Sequence, residues 1–345
     1  MRDVAMLAGT STAVVSYVVN GGPRAVAEAT RLRVQDAIEK LSYQRNDLAK
    51  ALVAGSSDTY GLIVPDISNP FFAGIAHALE TEVFAAGKIL LLGDSSESPD
   101  RERSIVRNFL QRQVDGLIYI GSDDRRHAEQ IAHAGVRVVV LDRVSVESAA
   151  SSVTVDNVAG ARLAAEHLIG HGYQEIGLIA GPDHLLTARD RRAGWADAMH
   201  HAGLATPPAN IKVGPFTKAA GADIGARWIE EGSLPRAIFA SSDQQAVGLM
   251  RAASEYGVRV PGELAVVAFD GTDDSVYSFA PLTTIRQPIE LIAQHAVALL
   301  LEKSPGEPVH IQCDVELVIR RSCGCNRVAT RRRRAKQGGL HVEGD

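Results

Sequence analysis

Carboxylates, an amide, a guanidinium group and aromatic rings follow short apolar runs of this 345-residue sequence. They are Asn69, Phe71 and Phe72 after one run, Asp142 and Arg143 after a second, and Asp270 after a third. If the apolar runs are strands of a parallel sheet, these side chains gather beyond its carboxyl ends, where α/β proteins bind ligands. The spacing therefore predicts a small-molecule site.

The pattern after Tyr60 predicts such strands. Apolar β-branched runs alternate with amphipathic segments of helical length, which is typical of parallel sheets covered on both faces. The predicted strands are 60–65, 88–93, 114–121, 136–142, 175–181, 235–241 and 263–270, and the predicted helices are 70–86, 100–112, 157–170, 188–202, 218–231 and 243–256. The alternation restarts within 151–168. We therefore predict two doubly wound lobes that face a cleft.

The first 55 residues lack this alternation. "RDVAMLAG" predicts a helix that ends at Gly9, and Ser11 can cap a second helix over 12–19. A third helix is predicted over 27–41. Strict polar–apolar alternation fails at both Val-Val pairs of the second segment, so we interpret it as a helix that packs Val15, Val18 and Val19 inward. Two short helices joined by a tight turn form the helix-turn-helix arrangement.

Composition excludes several classes of protein. A net charge of −5 provides no global basic field, so any nucleic-acid site must be local. The three cysteines fall in the last tenth of the chain, which is not a disulfide framework. No apolar run is long enough to span a membrane, and the N-terminus does not have the pattern of a signal peptide. We therefore expect a cytoplasmic protein.

Eight segments in order resemble the lactose-repressor (LacI) family of transcription regulators, from residue 2 to about residue 322. They are "DVAMLAGTSTAVVSYVVNG", "ATRLRVQDAIEKLSYQRNDLAKAL", "GLIVPDISNPFF", "VDGLIYI", "VDNVAGARLAAEHL", "FASSDQQAVGLMRA", "VVAFD" and "PLTTIRQP". The resemblance implies a small all-α helix-turn-helix headpiece, a hinge helix, and a two-lobed α/β core like a periplasmic binding protein. It implies a repressor that binds near-palindromic operator DNA as a homodimer or tetramer.

The resemblance also assigns DNA contacts. The recognition helix would run from Thr12 to Asn20. Positions that face bases are Thr12, Ala13 and Tyr17, and positions that can reach phosphates are Ser11, Ser16 and Asn20. Since none of the base-facing residues is Arg or Lys, we expect contacts of the thymine-methyl and single hydrogen-bond kinds.

A short hinge helix over 46–55 matches the segment that orders on DNA in the family. Leu52 matches the residue that wedges into the minor groove, and Lys50 is a further DNA-binding residue in the same segment. Arg45 stands where family members usually have Pro. The alternative for Leu52 is ordinary helix packing.

The core resembles ribose-type binding proteins at its predicted ligand positions. These are Asn69, Phe71, Phe72, Asp142, Arg143, Arg191, Phe216, Ser242, Asp270 and Gln287. Aromatic faces stack on a sugar ring while carboxylates and guanidinium groups take its hydroxyls, so the resemblance implies a sugar effector, best a pentose such as ribose. Ser242 departs from the usual Asn. Phe71 and Phe72 could instead be core, and Gln287 could pair with backbone only.

The competing class is a sugar-binding solute receptor or a sugar-acting enzyme on the same fold. A secreted receptor needs a signal peptide and no headpiece, and an enzyme needs a nucleophile or general acid in the cleft. The sequence offers no paired base for its histidines and no phosphate-binding loop. We therefore predict no catalysis and no cofactor.

The end of the chain holds a Cys-Gly-Cys segment at 323–325 and an Arg-rich stretch. Because Cys313 is the only other cysteine and no His spacing completes a zinc set, we expect a structural or incidental role for the pair and no metal. The predicted domains are a headpiece over 1–45, a hinge over 46–57, a core over 58–322 with lobe crossings near 156 and 287, and a basic disordered tail over 323–345.

Overall fold

The computed structural model describes residues 1–20, 25–43, 56–121, 130–131, 133–143, 150–302 and 307–325. The chain divides into two compact units, Met1–Ser57 and Asp58–Asp345. Among the described residues, no helix is both long and apolar enough to cross a membrane.

The described residues of the first unit form three helices, α1 (Arg2–Leu7), α2 (Thr12–Asn20) and α3 (Glu28–Lys40). Gly9, with a φ of +60°, takes the left-handed conformation that ends α1, as the sequence predicts. Val4, Val15 and Val34, one from each helix, are fully buried together. The Val-rich segment is therefore a helix, and Val18 and Val19 pack against the same cluster.

The second unit begins with a six-stranded parallel sheet. Its strands are β1 (Thr59–Val64), β2 (Ile89–Asp94), β3 (Gly116–Tyr119), β4 (Arg137–Leu141), β5 (Ser151–Val155) and β11 (His310–Cys313), in the order β11-β5-β4-β3-β1-β2. Helices α4 (Pro70–Ala85) and α11 (Ile289–Leu301) cover one face, and α5 (Pro99–Gln111) covers the other. Side chains of β1 point alternately to the two faces of the sheet, so both faces must be covered. Leu62 packs on the side of α4 and α11, and Ile63 packs on the side of α5.

A second six-stranded sheet forms the other lobe. Its strands are β6 (Ile176–Ala180), β7 (Ile211–Val213), β8 (Ala237–Ala240), β9 (Ala265–Asp270), β10 (Thr283–Arg286) and β12 (Glu316–Val318), in the order β12-β10-β9-β8-β6-β7. Only β12 is antiparallel to its neighbour in this sheet. The lobe's helices are α6 (Asn157–Gly170), α7 (Leu186–His201), α8 (Lys218–Glu230), α9 (Asp243–Glu255) and α10 (Asp273–Tyr277).

Glycines let neighbouring helices of this lobe approach closely. A Cβ atom at Gly248 of α9 would lie 1.9 Å from the carbonyl oxygen of Lys218, and one at Gly221 of α8 would lie 2.0 Å from that of Gln245. Since no side chain fits at these distances, α8 and α9 pack backbone to backbone. Trp195 and Trp228 are buried among the helices of the lobe and pack in its core.

The chain passes between the lobes three times. It crosses after β5, after β10, and between β11 and β12. The sequence indicated the first two crossings but not the third, because β11 and β12 are short strands at the sheet edges. Residues 323–325, which the sequence assigned to a disordered tail, instead continue the second lobe, with Cys323 fully buried.

Candidate functional site

Two aspartates lie at strand ends with unusual backbone conformations. Asp142 directly follows β4 in the first lobe and has a φ of +65°, while Asp270 ends β9 in the second lobe with a φ of +120°. Positive φ is uncommon for residues other than glycine, and such strained conformations cluster at ligand sites. The site prediction from strand ends thus selected two structurally special positions.

Arg191 is the centre of a buried polar network in the second lobe. Its Nη1 lies 3.1 Å from Oδ1 of Asp270 and donates to the carbonyl oxygen of Ser241 at 2.6 Å, and its Nε donates to Oδ1 of Asn157 at 2.8 Å. Gln287 donates from Nε2 to the same Asp270 oxygen at 3.0 Å. Because Arg191 and Asp270 are almost fully buried, this network has a fixed geometry.

The pKa of Asp270 depends on its burial and on the charges near it. Burial raises the pKa of Asp270 to about 7. The charge of Arg191 opposes this rise, and the carboxylates of Asp243 and Asp142 add to it. Asp142 belongs to the first lobe, so the acidic groups of the two lobes lie within electrostatic range of each other. A ligand that supplies hydroxyl donors between them would relieve this repulsion.

Arg143 carries the matching positive charge in the first lobe. Its Nη2 lies 3.3 Å from Oε1 of Glu97, its Nε lies 3.7 Å from Oδ2 of Asp142, and its guanidinium lies 5.9 Å from the ring centre of Phe72. The Nε atom is buried and has no hydrogen-bond partner among the described residues. A buried donor of this kind is costly unless a ligand or water satisfies it.

The predicted aromatic residues differ in their surroundings. Phe71 and Phe72 contact each other edge to face at 5.2 Å and are buried in the core of the first lobe, so the core alternative describes Phe71 well. Phe216 is half-buried, and its ring centre lies 5.7 Å from the Arg191 guanidinium. Phe269, which the sequence did not single out, lies closer, at 3.8 Å.

Two predicted polar residues cap helices that begin at the cleft. The Asn69 side chain accepts from the backbone N–H of Phe71 at the start of α4, and the Ser242 hydroxyl accepts from that of Gln245 at the start of α9. Capping leaves the Asn69 amide and the Ser242 hydroxyl proton available to a ligand. The chain thus places Asn69 and Ser242 at helix N-termini that point at the strand ends.

Sequence reasoning missed several members of the network. Asn157 directly follows β5 and its crossing, so the strand-end rule that selected Asp270 could have found it. Asp243 is fully buried and accepts from the backbone and hydroxyl of Thr272 and from the hydroxyl of Thr284. It fixes the loop after Asp270. Nothing in the sequence pairs Glu97 with Arg143.

The raised pKa of Asp270 predicts a pH dependence of stability. A carboxyl whose pKa is raised on folding binds a proton that the unfolded chain has already lost, so its contribution to stability falls as pH rises from the ordinary aspartate pKa of 3.8 to about 7. Relative to an Asp270→Asn variant, the wild-type protein is expected to gain thermal stability from about pH 8 to about pH 5. A difference between the two melting temperatures that stays constant with pH would contradict this.

The first unit exposes the face predicted to read DNA. Thr12 and Ala13 are exposed and Ser16 and Tyr17 are half-buried, while Val15 on the opposite face is fully buried. The hydroxyl of Ser11 accepts from the backbone N–H of Val14 and caps the start of α2. Asn20 ends α2. The predicted hinge residues Lys50 and Leu52 lie outside the described residues.

A helix-turn-helix unit followed by a two-lobed α/β core with a buried polar cluster defines a class of protein, the ligand-controlled DNA-binding regulators. Residues 1–46 match the family model of bacterial regulatory proteins of the lacI family, and residues 165–323 match a periplasmic binding protein-like domain. The chain is 32% identical over 327 residues to the HTH-type transcriptional repressor PurR of Photobacterium profundum, which covers 93% of this chain and 98% of the relative. It is 32% identical over 326 residues to the repressor CytR of Escherichia coli, and the match covers 93% of this chain and 95% of CytR.

Solved structures give the same result. The lac repressor dimer bound to operator and the anti-inducer ONPF matches with a TM-score of 0.83 at 32% identity, over 93% of this chain and 98% of that one. The CelR–cellobiose complex matches with a TM-score of 0.71 at 28% identity, over 93% of this chain and 98% of that one. The chain belongs to the LacI family. It is a sequence-specific DNA-binding transcriptional repressor, and the family and fold predictions are confirmed.

Membership decides between the classes that the sequence left open. The relatives named above are transcriptional repressors, not enzymes or solute receptors. Like them, the protein is a dimeric regulator that binds operator DNA and a small-molecule effector.

Proposed function

We propose that the effector of this repressor is a small hydroxylated ring molecule, best a pentose such as ribose, held between the lobes. The observation that carries the proposal is the buried Arg191–Asp270 pair, whose nitrogen and oxygen lie 3.1 Å apart. A desolvated guanidinium–carboxylate pair presents donors and acceptors side by side, which suits adjacent hydroxyl groups of a sugar.

The first lobe supplies a second pair of the same kind. Asp142 and Arg143 follow β4, and the unsatisfied Nε of Arg143 offers a donor to the ligand. Phe72 and Phe216 present rings beside the two guanidinium groups. In this proposal Phe71 packs against Phe72 from the core, and the ligand contacts are Asn69, Phe72, Asp142, Arg143, Arg191, Phe216, Ser242, Asp270 and Gln287.

A related structure supports a carbohydrate. The CelR complex contains cellobiose, so this two-lobed core accepts a sugar in at least one similar protein. The curated relatives carry the names PurR, CytR and catabolite control protein A, and none is named for ribose. Discrimination among sugars, nucleosides and bases therefore needs a direct comparison of ligands.

The control mechanism we propose couples lobe closure to DNA binding. Effector binding closes the two lobes and changes the dimer interface, so that the hinge segments no longer pair in the minor groove, where Leu52 would wedge. By linkage, operator DNA must weaken effector binding by the same factor. We assign 1–45 to the DNA-binding headpiece, 46–57 to the hinge and 58–322 to the effector core. Residues 323–325 extend that core. Because a repressor must reach its operator DNA, we place the protein in the cytoplasm.

The effector is identified by thermal unfolding with a panel of ribose, other pentoses, hexoses, nucleosides and purines. A ligand at 100 times its Kd stabilises the core by about 2.7 kcal/mol, which raises the melting temperature measurably. We expect a pentose to give the largest shift, and Asp270→Asn to remove it. If a nucleoside or purine alone shifts the melt, the pentose assignment is wrong and the site serves another effector.

A further inference from the structure

Four side chains with affinity for metal ions meet at the far end of α6 from the effector cluster. His167 lies in the last turn of α6 and His171 directly follows it, and both face Cys323 and Cys325. Their imidazole nitrogens and sulfurs all lie within 4.8 Å of one another. All three cysteines of the chain are reduced thiols. No partner for these histidines is evident in the sequence, because 154 residues separate His171 from Cys325.

The distances within this cluster resemble the edges of a coordination tetrahedron. Cys325 Sγ lies 3.1 Å from His171 Nε2 and 3.7 Å from His167 Nε2. Zinc binds sulfur at about 2.3 Å and imidazole nitrogen at about 2.0–2.1 Å, so tetrahedral ligands are about 3.3–3.8 Å apart. A common centre therefore lies within reach of the ligand atoms after small side-chain adjustments.

Local structure explains why the four groups converge. Residues four apart on a helix share a face, so His167 and His171 project together, with ring centres 4.9 Å apart. Gly324, at a φ of +93°, makes the turn that brings both cysteines to the same side. Cys323 is fully buried, and its sulfur accepts from the hydroxyl of Thr283 at 3.1 Å. Such a contact orients a metal ligand from behind.

We propose that His167, His171, Cys323 and Cys325 bind one Zn²⁺ ion in a closed tetrahedral site. Two thiolates and two imidazoles favour zinc, and four protein ligands leave no open position, which is the pattern of a structural rather than a catalytic site. His171 is exposed, so the ion has a route from solvent. The proposal is independent of the effector and its identity.

The expected consequence is a cross-link between α6 and the end of the described chain. The cysteines pack with Leu168, Leu317 and Ile319 in the core of the second lobe, and Ser322 beside them donates to the carbonyl of Val266 on the central strand β9. A metal at this position closes a loop of more than 150 residues, which penalises the unfolded chain and stabilises the lobe.

The test is metal analysis of the full-length protein, purified with reductant and zinc and with any affinity tag removed. We expect about one zinc per protomer, and Co²⁺ exchanged into the protein should give the visible absorption of a tetrahedral cobalt–thiolate centre. Chelation should lower the melting temperature of the wild type. The double variant His171→Asn/Cys325→Ser should bind neither ion and should melt at the temperature of the chelated wild type.

Two control variants separate the site from general effects of His or Cys removal. Cys313→Ser removes the remaining cysteine, and His200→Asn removes an exposed histidine from the end of α7; both should keep the full metal content. Operator binding by the double variant shows that it is folded. Wild-type protein without zinc or a cobalt–thiolate spectrum, or a Cys323–Cys325 disulfide in freshly purified protein, would overturn the proposal.

Discussion

Replacing Arg191 with Met is expected to abolish the response to the effector and to lower the free energy of unfolding of the core by about 3–5 kcal/mol. The guanidinium satisfies Asp270, Asn157 and the carbonyl of Ser241, all within a buried network. Without it a buried carboxylate loses its counter-charge, and two further polar groups lose a hydrogen bond. Chemical denaturation measures the loss of stability, and titration calorimetry with the identified ligand measures the loss of binding.

The neighbouring arginine provides a matched control. Arg192 forms only a surface pair with Asp183, at 3.4 Å between Nη1 and Oδ1, with both side chains substantially exposed. Surface pairs of this kind contribute about 0–1 kcal/mol, so Arg192→Ala should leave stability and effector binding almost unchanged. Equal effects of the two substitutions would show that the Arg191 network has no special role. Asp270→Asn, which keeps the hydrogen bonds, tests ligand binding if the Arg191 variant does not fold.

Replacing Tyr17 with Ala is expected to cause the largest loss of operator affinity among substitutions that leave the headpiece folded. Tyr17 is only half-buried and lies on the face of α2 opposite Val15. The proposed hydrogen bond from Tyr17 to a base is worth about 0.5–1.5 kcal/mol, and the substitution would remove it from each headpiece of the dimer. Affinity should therefore fall by about 5- to 150-fold, since 1.4 kcal/mol corresponds to a factor of ten.

Fluorescence anisotropy with operator DNA at fixed salt measures this loss, because phosphate contacts make affinity strongly salt-dependent. Leu32→Ala on α3 is the control, since Leu32 is also apolar and exposed but lies outside the predicted reading face. It should bind operator as the wild type does. If Tyr17→Ala retains wild-type affinity for operator while Leu32→Ala loses it, the reading face has been assigned to the wrong helix.

Hydrophobic periodicity predicted the two-lobed architecture but not every element, since the 13-residue helix α11 (Ile289–Leu301) was not among the predicted helices. All seven predicted strands and all six predicted core helices are present, because long buried elements repeat the same pattern over several residues. The strands that escaped prediction include the edge strands β7 (Ile211–Val213) and β12 (Glu316–Val318), whose residues are half-buried or exposed and so form no continuous apolar run. The third crossing was missed for the same reason.

The candidate site was only partly predictable. Strand ends select positions near a ligand, so Asp142 and Asp270 emerged from the order of elements alone. The order of the elements does not show which side chains contact each other. The contacts of Asn157 with Arg191 and of Glu97 with Arg143 depend on the packing of elements that are distant in sequence. The cluster around Cys325 was the least predictable, because its histidines and its cysteines belong to segments with no sequence pattern in common.

The three crossings between the lobes together form a hinge. The crossings are short segments after β5, after β10 and between β11 and β12. Three connections at one place restrict the relative motion of the lobes to rotation about a common axis. Gln287 and Asn157, which contact the Asp270 network, stand on two of those attachments. In the proposed mechanism, a ligand that binds this network acts at the hinge, where a small local rotation would produce a large displacement at the distant ends of the lobes.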